Sequence, residues 1–313
     1  MRRETDFQTL NSENAKTFYF QNPLKGRQNF MRIKLAIILL GLLTVDAFGQ
    51  KSEYKGTFVV SGTGSFDDSL SLKSFVNLLK NRANSNILFI PTASSGIRLP
   101  NGYVFIPPKG DTTKAYIESF EAELTKLFGV QRVTLLHTRA RSIANSDSFI
   151  NLIKKSDGVW ISSGNAGRLA DSYLRTNTHK EIKRLIERGG VVGGNSAGAI
   201  IMGSYIVRGW TEKPMLMAKG HDKGFGLIDD VAINPHLLTA KREYELISVI
   251  HQFPKLLGIG IDDYTTLIIR DNIFTVIGKS KVAIYDNKKY GDRWYYWLNP
   301  GDRFDLTRRR KIE

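Results

Sequence analysis

Val191-Val192-Gly193-Gly194-Asn195-Ser196-Ala197-Gly198-Ala199-Ile200 is a short apolar run that enters Gly-x-Ser-x-Gly and continues into an Ala/Ile-rich stretch able to form a helix. This is the sequence pattern of a nucleophile elbow. Small residues on both sides of Ser196 permit a strand-to-helix turn too tight for bulkier neighbours. The pattern predicts a serine at the top of a sheet and at a helix N-terminus, where backbone N–H groups and the helix dipole can stabilise an oxyanion. Gly-x-Ser-x-Gly also occurs in ordinary glycine-rich turns, so a purely structural turn is the competing reading.

The flanking sequence says what kind of sheet this is. Upstream, Thr57-Phe58-Val59-Val60, Asn86-Ile87-Leu88-Phe89-Ile90, Arg132-Val133-Thr134-Leu135-Leu136 and Gly158-Val159-Trp160-Ile161 are short apolar strands. Helical spacing over Leu70–Leu79, Tyr116–Phe128 and His179–Arg188 separates them. Short apolar strands alternating with helices predict an α/β fold with a parallel sheet covered on both faces. Ligands then bind at the carboxyl ends of the strands, where Ser162-Ser163-Gly164-Asn165 and Ser196 both fall. Residues 96–112, rich in Gly and Pro, read as an inserted loop. After residue 203 the rhythm changes. Leu227–Ile233 and Lys255–Ile261 read as strands, followed by short antiparallel strands at Leu267–Arg270, Phe274–Ile277 and Val282–Tyr285, with an edge strand at Arg293–Leu298.

The 313 residues carry 45 Lys/Arg against 30 Asp/Glu and contain no cysteine. A disulfide framework and a thiol nucleophile are therefore excluded. Met31-Arg32-Ile33-Lys34, the apolar run from Leu35 to Val45, and Ala47-Phe48-Gly49 have the form of a secretory signal peptide cleaved before Gln50. That run is shorter than the roughly 20 residues of a membrane span. The expected organisation is an N-terminal extension at 1–30, non-native or disordered, with Met31 as initiator; a signal peptide at 31–49; and a single domain at 50–313. An exported, periplasmic or secreted protein follows, with no stable membrane insertion after cleavage. Without residues 1–49 the chain keeps 38 basic and 26 acidic residues, a net charge near +12. No zinc-finger spacing or base-reading helix accompanies this charge, so a solvated basic surface is expected rather than a nucleic-acid partner.

A serine hydroxyl needs a base, commonly a histidine held by a carboxylate. Of five histidines, His236 follows the strand Val231-Ala232-Ile233, where a base should stand, and His221 in its glycine-rich loop is the alternative. His179 opens a Lys/Arg-rich helix and reads as a surface residue. His251 lies late in a helix, and with Asp229 or Asp230 it would complete an α/β-hydrolase esterase. Gly258-Ile259-Gly260-Ile261-Asp262-Asp263 is a buried strand ending in two acids, and orienting a histidine would give one of them a partner. Ala197 N–H, one residue past the serine, is the first oxyanion donor, and Gly164 or Asn165 the second. No histidine pair has metal-ligand spacing. Ser61-Gly62-Thr63-Gly64 is like a dinucleotide-binding turn but lacks the third glycine and an acidic partner. No metal or cofactor is implied. The reading is of an alcohol, an imidazole and a carboxyl group meeting above one sheet edge.

Taken together, these segments resemble cyanophycinase and the wider peptidase S51 family, which includes aspartyl dipeptidases. The resemblance runs from about Phe58 to Arg309. It rests on Ile90-Pro91-Thr92-Ala93-Ser94, Ser163-Gly164-Asn165, Gly194-Asn195-Ser196-Ala197-Gly198-Ala199, Gly224-Phe225-Gly226-Leu227, the strand ending in His236, Gly258–Asp263, and Pro300-Gly301-Asp302-Arg303-Phe304-Asp305-Leu306. It implies a class I glutamine-amidotransferase-like, flavodoxin-like fold: a mostly parallel sheet with helices on both faces and an antiparallel C-terminal extension. It also implies a Ser–His–acid hydrolase of Ser196, His236 and Asp263, with Asp263 where cyanophycinases have glutamate. The shorter acid would require His236 to sit closer or turn. In the substrate pocket, Ala166 stands in place of a glutamine and Asn234-Pro235 in place of Asp-Gln. Arg242 matches one family arginine, while Ala240 and Glu245 replace others. A site built on polar partners rejects analogues that lack them, so the changed pocket predicts a substrate other than cyanophycin. The expected activity is cleavage of a peptide or isopeptide amide. A homodimer and a catalytically inactive binding protein on the same fold stay open.

Overall fold

The computed structural model describes residues 56–66, 69–107, 113–208 and 222–313, and these lie in one compact unit. The expected N-terminal extension and signal peptide, and His221, lie outside the described residues. Among the described residues fifteen strands follow in order: β1 Thr57–Ser61, β2 Asn86–Ile90, β3 Ile97–Arg98, β4 Val104–Phe105, β5 Arg132–Leu135, β6 Gly158–Ile161, β7 Val191–Asn195, β8 Val231–Pro235, β9 Leu257–Ile261, β10 Thr265–Arg270, β11 Ile273–Gly278, β12 Val282–Tyr285, β13 Tyr296–Leu298, β14 Arg303–Asp305 and β15 Arg310–Ile312. The helices are α1 Ser69–Leu78, α2 Lys114–Phe128, α3 Arg141–Ala144, α4 Asp147–Lys154, α5 Ala166–Tyr173, α6 Asn177–Glu187, α7 Ala197–Met202 and α8 Glu245–Gln252.

The main sheet runs β15-β14-β11-β10-β1-β7-β6-β2-β5. From β1 to β5 the pairings are parallel, and from β1 outward to β15 they are antiparallel. Period-two alternation sends successive strand residues to opposite faces. Val59, Phe89, Trp160 and Val191 thus pack on one side with Phe75 of α1 and Phe120 and Phe128 of α2. Phe58, Val60, Ile161 and Val192 pack on the other with Leu169 of α5, Ile182 of α6 and Ile200 of α7. On the first side Trp160 meets Phe75 and Phe128 edge-on at 5.3 and 5.8 Å between centroids. Burying each such ring contributes about 1.5–3 kcal/mol. Two apolar faces on one sheet make the α/β architecture the way this chain removes its apolar runs from water.

The strands β8, β9, β12 and β13 do not extend this sheet, contrary to the expectation of one sheet. They form a second one, ordered β13-β12-β9-β8, with β8 and β9 parallel and β12 antiparallel to β9. Its strands β8, β9 and β12 are wholly buried. The reason is topological: β10 turns back at Asp263–Tyr264 to pair with β1, leaving β9 on its own layer. The region 96–112, expected as a loop, contains the β3–β4 hairpin. This is held against α2 by Phe105 stacked on Phe120 at 4.0 Å.

Candidate functional site

At the carboxyl end of β7, Ser196 adopts φ 52° and ψ −109°. This is a strained conformation for a residue with a Cβ. Three contacts hold it there. Ser196 N–H donates to Ser61 O at 3.1 Å. Before it, Asn195 Oδ1 accepts from Trp160 Nε1 at 3.2 Å. After it, α7 lies so close to β6 that a Cβ on Gly198 would stand 2.1 Å from Ile161 O. The small residues of Gly-Asn-Ser-Ala-Gly are thus demanded by the approach of strand and helix. Helix α7 has only six residues, so what its N-terminus offers is a first backbone donor rather than a long helix dipole.

The small sheet delivers the other two groups. His236 follows β8 with φ 59°, and its Nε2 lies 2.8 Å from Ser196 Oγ. Asp263 follows β9, and its Oδ1 lies 2.6 Å from His236 Nδ1. Both side chains are partly exposed, about a fifth each. The parallel pairing of Pro235 with Ile261 brings the two strand ends level and sets this reach, so the shorter acid contacts the imidazole directly. Asp262 faces another way. It accepts Leu238 N–H, Thr239 N–H and the Thr239 hydroxyl through Oδ1 and the Ser280 hydroxyl through Oδ2. Burial alone would raise its pKa, but the hydrogen bond from Ser280 and those from the backbone outweigh it and hold the carboxyl below its ordinary range.

Beside Ser196 the backbone offers donors. Ala197 is the first residue of α7, and a first helical N–H has no intrahelical acceptor. Of the two candidates for a second donor, Asn165 is corrected: its N–H donates to Ala93 O at 2.9 Å, and its side chain caps α5 by accepting from Gly167 N–H. Gly164 N–H has no acceptor among the described residues. Gly164 has φ 136°, and a Cβ there would stand 2.3 Å from Ala93 O, so only glycine fits.

A cleft is lined by Gly164, Asn165, Ala166, Ser196, Ile200, Arg208, Pro235, His236 and Arg242. Ala166 and Arg242 therefore both face this cleft beside Ser196. Asn234 does not line it: it is fully buried and its Nδ2 donates to Glu245 Oε2 at 2.9 Å. Arg208 was not singled out from sequence; a lone arginine in a loop carries no pattern. Its guanidinium pairs with Glu245, while Arg242 donates to Pro235 O at 3.1 Å. Burial first, then the neighbouring Arg208 charge, push the Arg242 pKa below its ordinary range, against the opposing pull of Glu245 and Asp263.

The other histidines among the described residues are engaged elsewhere. His137 Nδ1 contacts Thr92 Oγ1 at 2.9 Å. His251 packs edge-on against Trp294. His179, expected at the surface, is buried; its Nε2 donates to Phe225 O and its Nδ1 accepts from Arg175 N–H. Burial on the apolar face of α6 explains the difference, and it lowers the His179 pKa.

Known proteins place the chain. Cyanophycinase from Trichormus variabilis is 31% identical over 189 residues, 59% of this chain and 63% of that protein. The match thus spans just under two thirds of the relative's length. Cyanophycinase from Synechococcus elongatus is 25% identical over 276 residues, covering 86% of this chain and 81% of that protein. The crystal structure of a peptidase from an acI-B1 Actinobacterium superposes with a TM-score of 0.59 over 81% of this chain and 98% of that one, at 21% identity, and so shares the fold. The sequence profile of Peptidase family S51 matches residues 58–277. That match covers more than half of the sequence, and the chain belongs to peptidase family S51.

Proposed function

We propose that this protein is an exported serine hydrolase that cleaves a peptide or isopeptide amide bond through an acyl-enzyme. The observation that carries the reading is the hydrogen-bonded series Ser196 Oγ–His236 Nε2–Asp263 Oδ1, at 2.8 and 2.6 Å, next to two backbone donors. His236, neutral and donating Nδ1–H to Asp263, accepts the Ser196 proton at Nε2 as Oγ attacks the scissile carbonyl. The tetrahedral oxyanion takes Ala197 N–H and Gly164 N–H; losing one such donor costs about 2.7–4 kcal/mol of transition-state stabilisation. His236 then gives the proton to the leaving amine. Water repeats the sequence, releasing the acid and restoring the serine. The strain at Ser196, a nucleophile elbow in this reading, keeps the hydroxyl presented to the cleft.

The substrate carries an acidic residue next to the scissile bond. Arg208 and Arg242 both line the cleft, with Arg208 paired to Glu245, and this cationic lining suits a substrate carboxylate. Ala166 stands where cyanophycinases have a polar partner, which favours a substrate other than cyanophycin, with aspartyl and β-aspartyl peptides the first to test. Export rests on the Met31–Gly49 segment. The test is a screen of aspartyl dipeptides, β-aspartyl dipeptides and longer acidic peptides against the wild type, His236→Ala and His251→Ala. Hydrolysis lost in His236→Ala and kept in His251→Ala supports the assignment; full activity in His236→Ala ends it. A folded protein that binds acidic peptides without cleaving them would favour the inactive binding protein.

A further inference from the structure

The turn Ser61-Gly62-Thr63-Gly64 binds no dinucleotide in this reading, yet it sits at the seam between the two sheets and touches every member of the Ser196–His236–Asp263 series or its immediate support. Ser61 O accepts Ser196 N–H at 3.1 Å. Gly62 N–H donates to Thr265 O at 3.0 Å, two residues past Asp263. Thr63 Oγ1 accepts Tyr264 N–H at 2.6 Å. A Cβ placed on Gly64 would stand 3.0 Å from His236 Cε1 and 3.5 Å from Nε2.

This placement answers a mechanical need. Ser196 belongs to the main sheet, while His236 and Asp263 belong to the small one, so their 2.6–2.8 Å contacts depend on how the two layers are fixed. Strand β1 is inside the main sheet, between β7 and β10, and its C-terminal turn reaches across. Thr63 is buried, 3% exposed. The group it holds is the N–H of Tyr264, a residue at φ 55° directly after Asp263. Without an acceptor that N–H is left unpaired, and the left-handed turn loses what offsets its strain.

We propose that Thr63 and Gly64 are positioning residues for the hydrolytic centre: the Thr63 hydroxyl clamps the turn that presents Asp263, and the bare Cα of Gly64 leaves the space the His236 ring occupies. The proposal rests on the triad reading above. Thr63→Val keeps shape and removes the acceptor; Thr63→Ser keeps the acceptor; Gly64→Ala presses on the imidazole from a half-exposed position. Each is made in the full chain and assayed for the rate of inactivation by a fluorophosphonate, for thermal melting, and for the downfield proton resonance of His236 Nδ1–H.

Thr63→Val and Gly64→Ala should each inactivate about tenfold more slowly and shift or broaden the downfield resonance. Thr63→Ser should react within about twofold of wild type, a rescue that bulk at this position cannot explain. Wild-type rates with an unmoved resonance in both Thr63→Val and Gly64→Ala overturn the proposal. If Thr63→Val fails to fold, Gly64→Ala and Thr63→Ser decide it alone. A wild-type protein that never labels at Ser196 sinks the triad reading instead. The resonance needs no chemistry, so in that event its movement or constancy in these variants still judges the clamp by itself.

Discussion

Asp262 and Asp263, adjacent in the chain, serve different structures: Asp263 Oδ1 lies 2.6 Å from His236 Nδ1, while Asp262 takes four hydrogen bonds from Leu238, Thr239 and Ser280. The first orients an imidazole, and the second folds the segment leaving His236 back onto β9. The pair therefore predicts opposite phenotypes. Asp263→Asn should melt within about 1 kcal/mol of wild type, as a partly exposed group, and lose at least about a hundredfold in hydrolysis. Asp262→Asn should cost about 1–3 kcal/mol of stability, measured by urea unfolding, with activity per folded molecule reduced far less. Equal activity losses in the two variants would contradict this division.

The reach of the acid is already set by strand register. Because Asp263 contacts His236 directly, restoring the longer glutamate found in cyanophycinases is not a gain here. Asp263→Glu should drive the carboxylate into the ring and lower kcat about tenfold or more, with KM nearly unchanged. A variant at or above wild-type kcat would show that the present geometry is relaxed rather than fitted.

Cleft charge yields a prediction about selectivity. Glu245 offsets Arg208 and also ties down Asn234. Glu245→Gln should leave Arg208 and Arg242 less neutralised and lower KM for acidic peptides by about threefold relative to uncharged ones. Arg242→Ala should raise KM for acidic peptides about tenfold while kcat changes less. Paired kinetics on acidic and amidated peptides measure both, and an unchanged KM ratio in both variants would remove the arginines from substrate recognition.

His179 supplies a pH dependence of stability. Its pKa is lowered by burial, so the unfolded chain binds a proton at higher pH than the folded one. Stability from this site is full above the ordinary value near 6.5 and falls as pH drops below it toward the folded pKa. Protonation would also put a proton on Nδ1, which accepts from Arg175 N–H. Urea midpoints from pH 7.5 to 5 should fall for wild type and fall less for His179→Gln. Parallel curves would exclude His179 as the source.

Much of this was legible in the chain. Ile87–Ile90, Val159–Ile161 and Val191–Val192 are apolar runs whose burial on both faces leaves few alternatives to a parallel sheet, and the residues that meet at Ser196 all follow such runs. What the sequence did not disclose was pairing. Ile233, Ile259 and Ile284 look like any other core strand residues, and nothing local says that they form a second layer. Arg208 was invisible for a related reason: its importance comes from a salt bridge to Glu245, 37 positions away. His179 was misread through its charged neighbours, although its spacing with Ile182 and Ile186, all buried, marks one helix face and could have revealed it.

The central claim is that Ser196 is a nucleophile activated by His236. Treating the folded protein with a fluorophosphonate and mapping the adduct by peptide mass spectrometry tests it most directly. The account predicts a single phosphonyl group on Ser196, formed at least about a hundredfold more slowly in His236→Ala and absent in Ser196→Ala. An unmodified Ser196 in correctly folded wild-type protein, or undiminished labelling in His236→Ala, would contradict it.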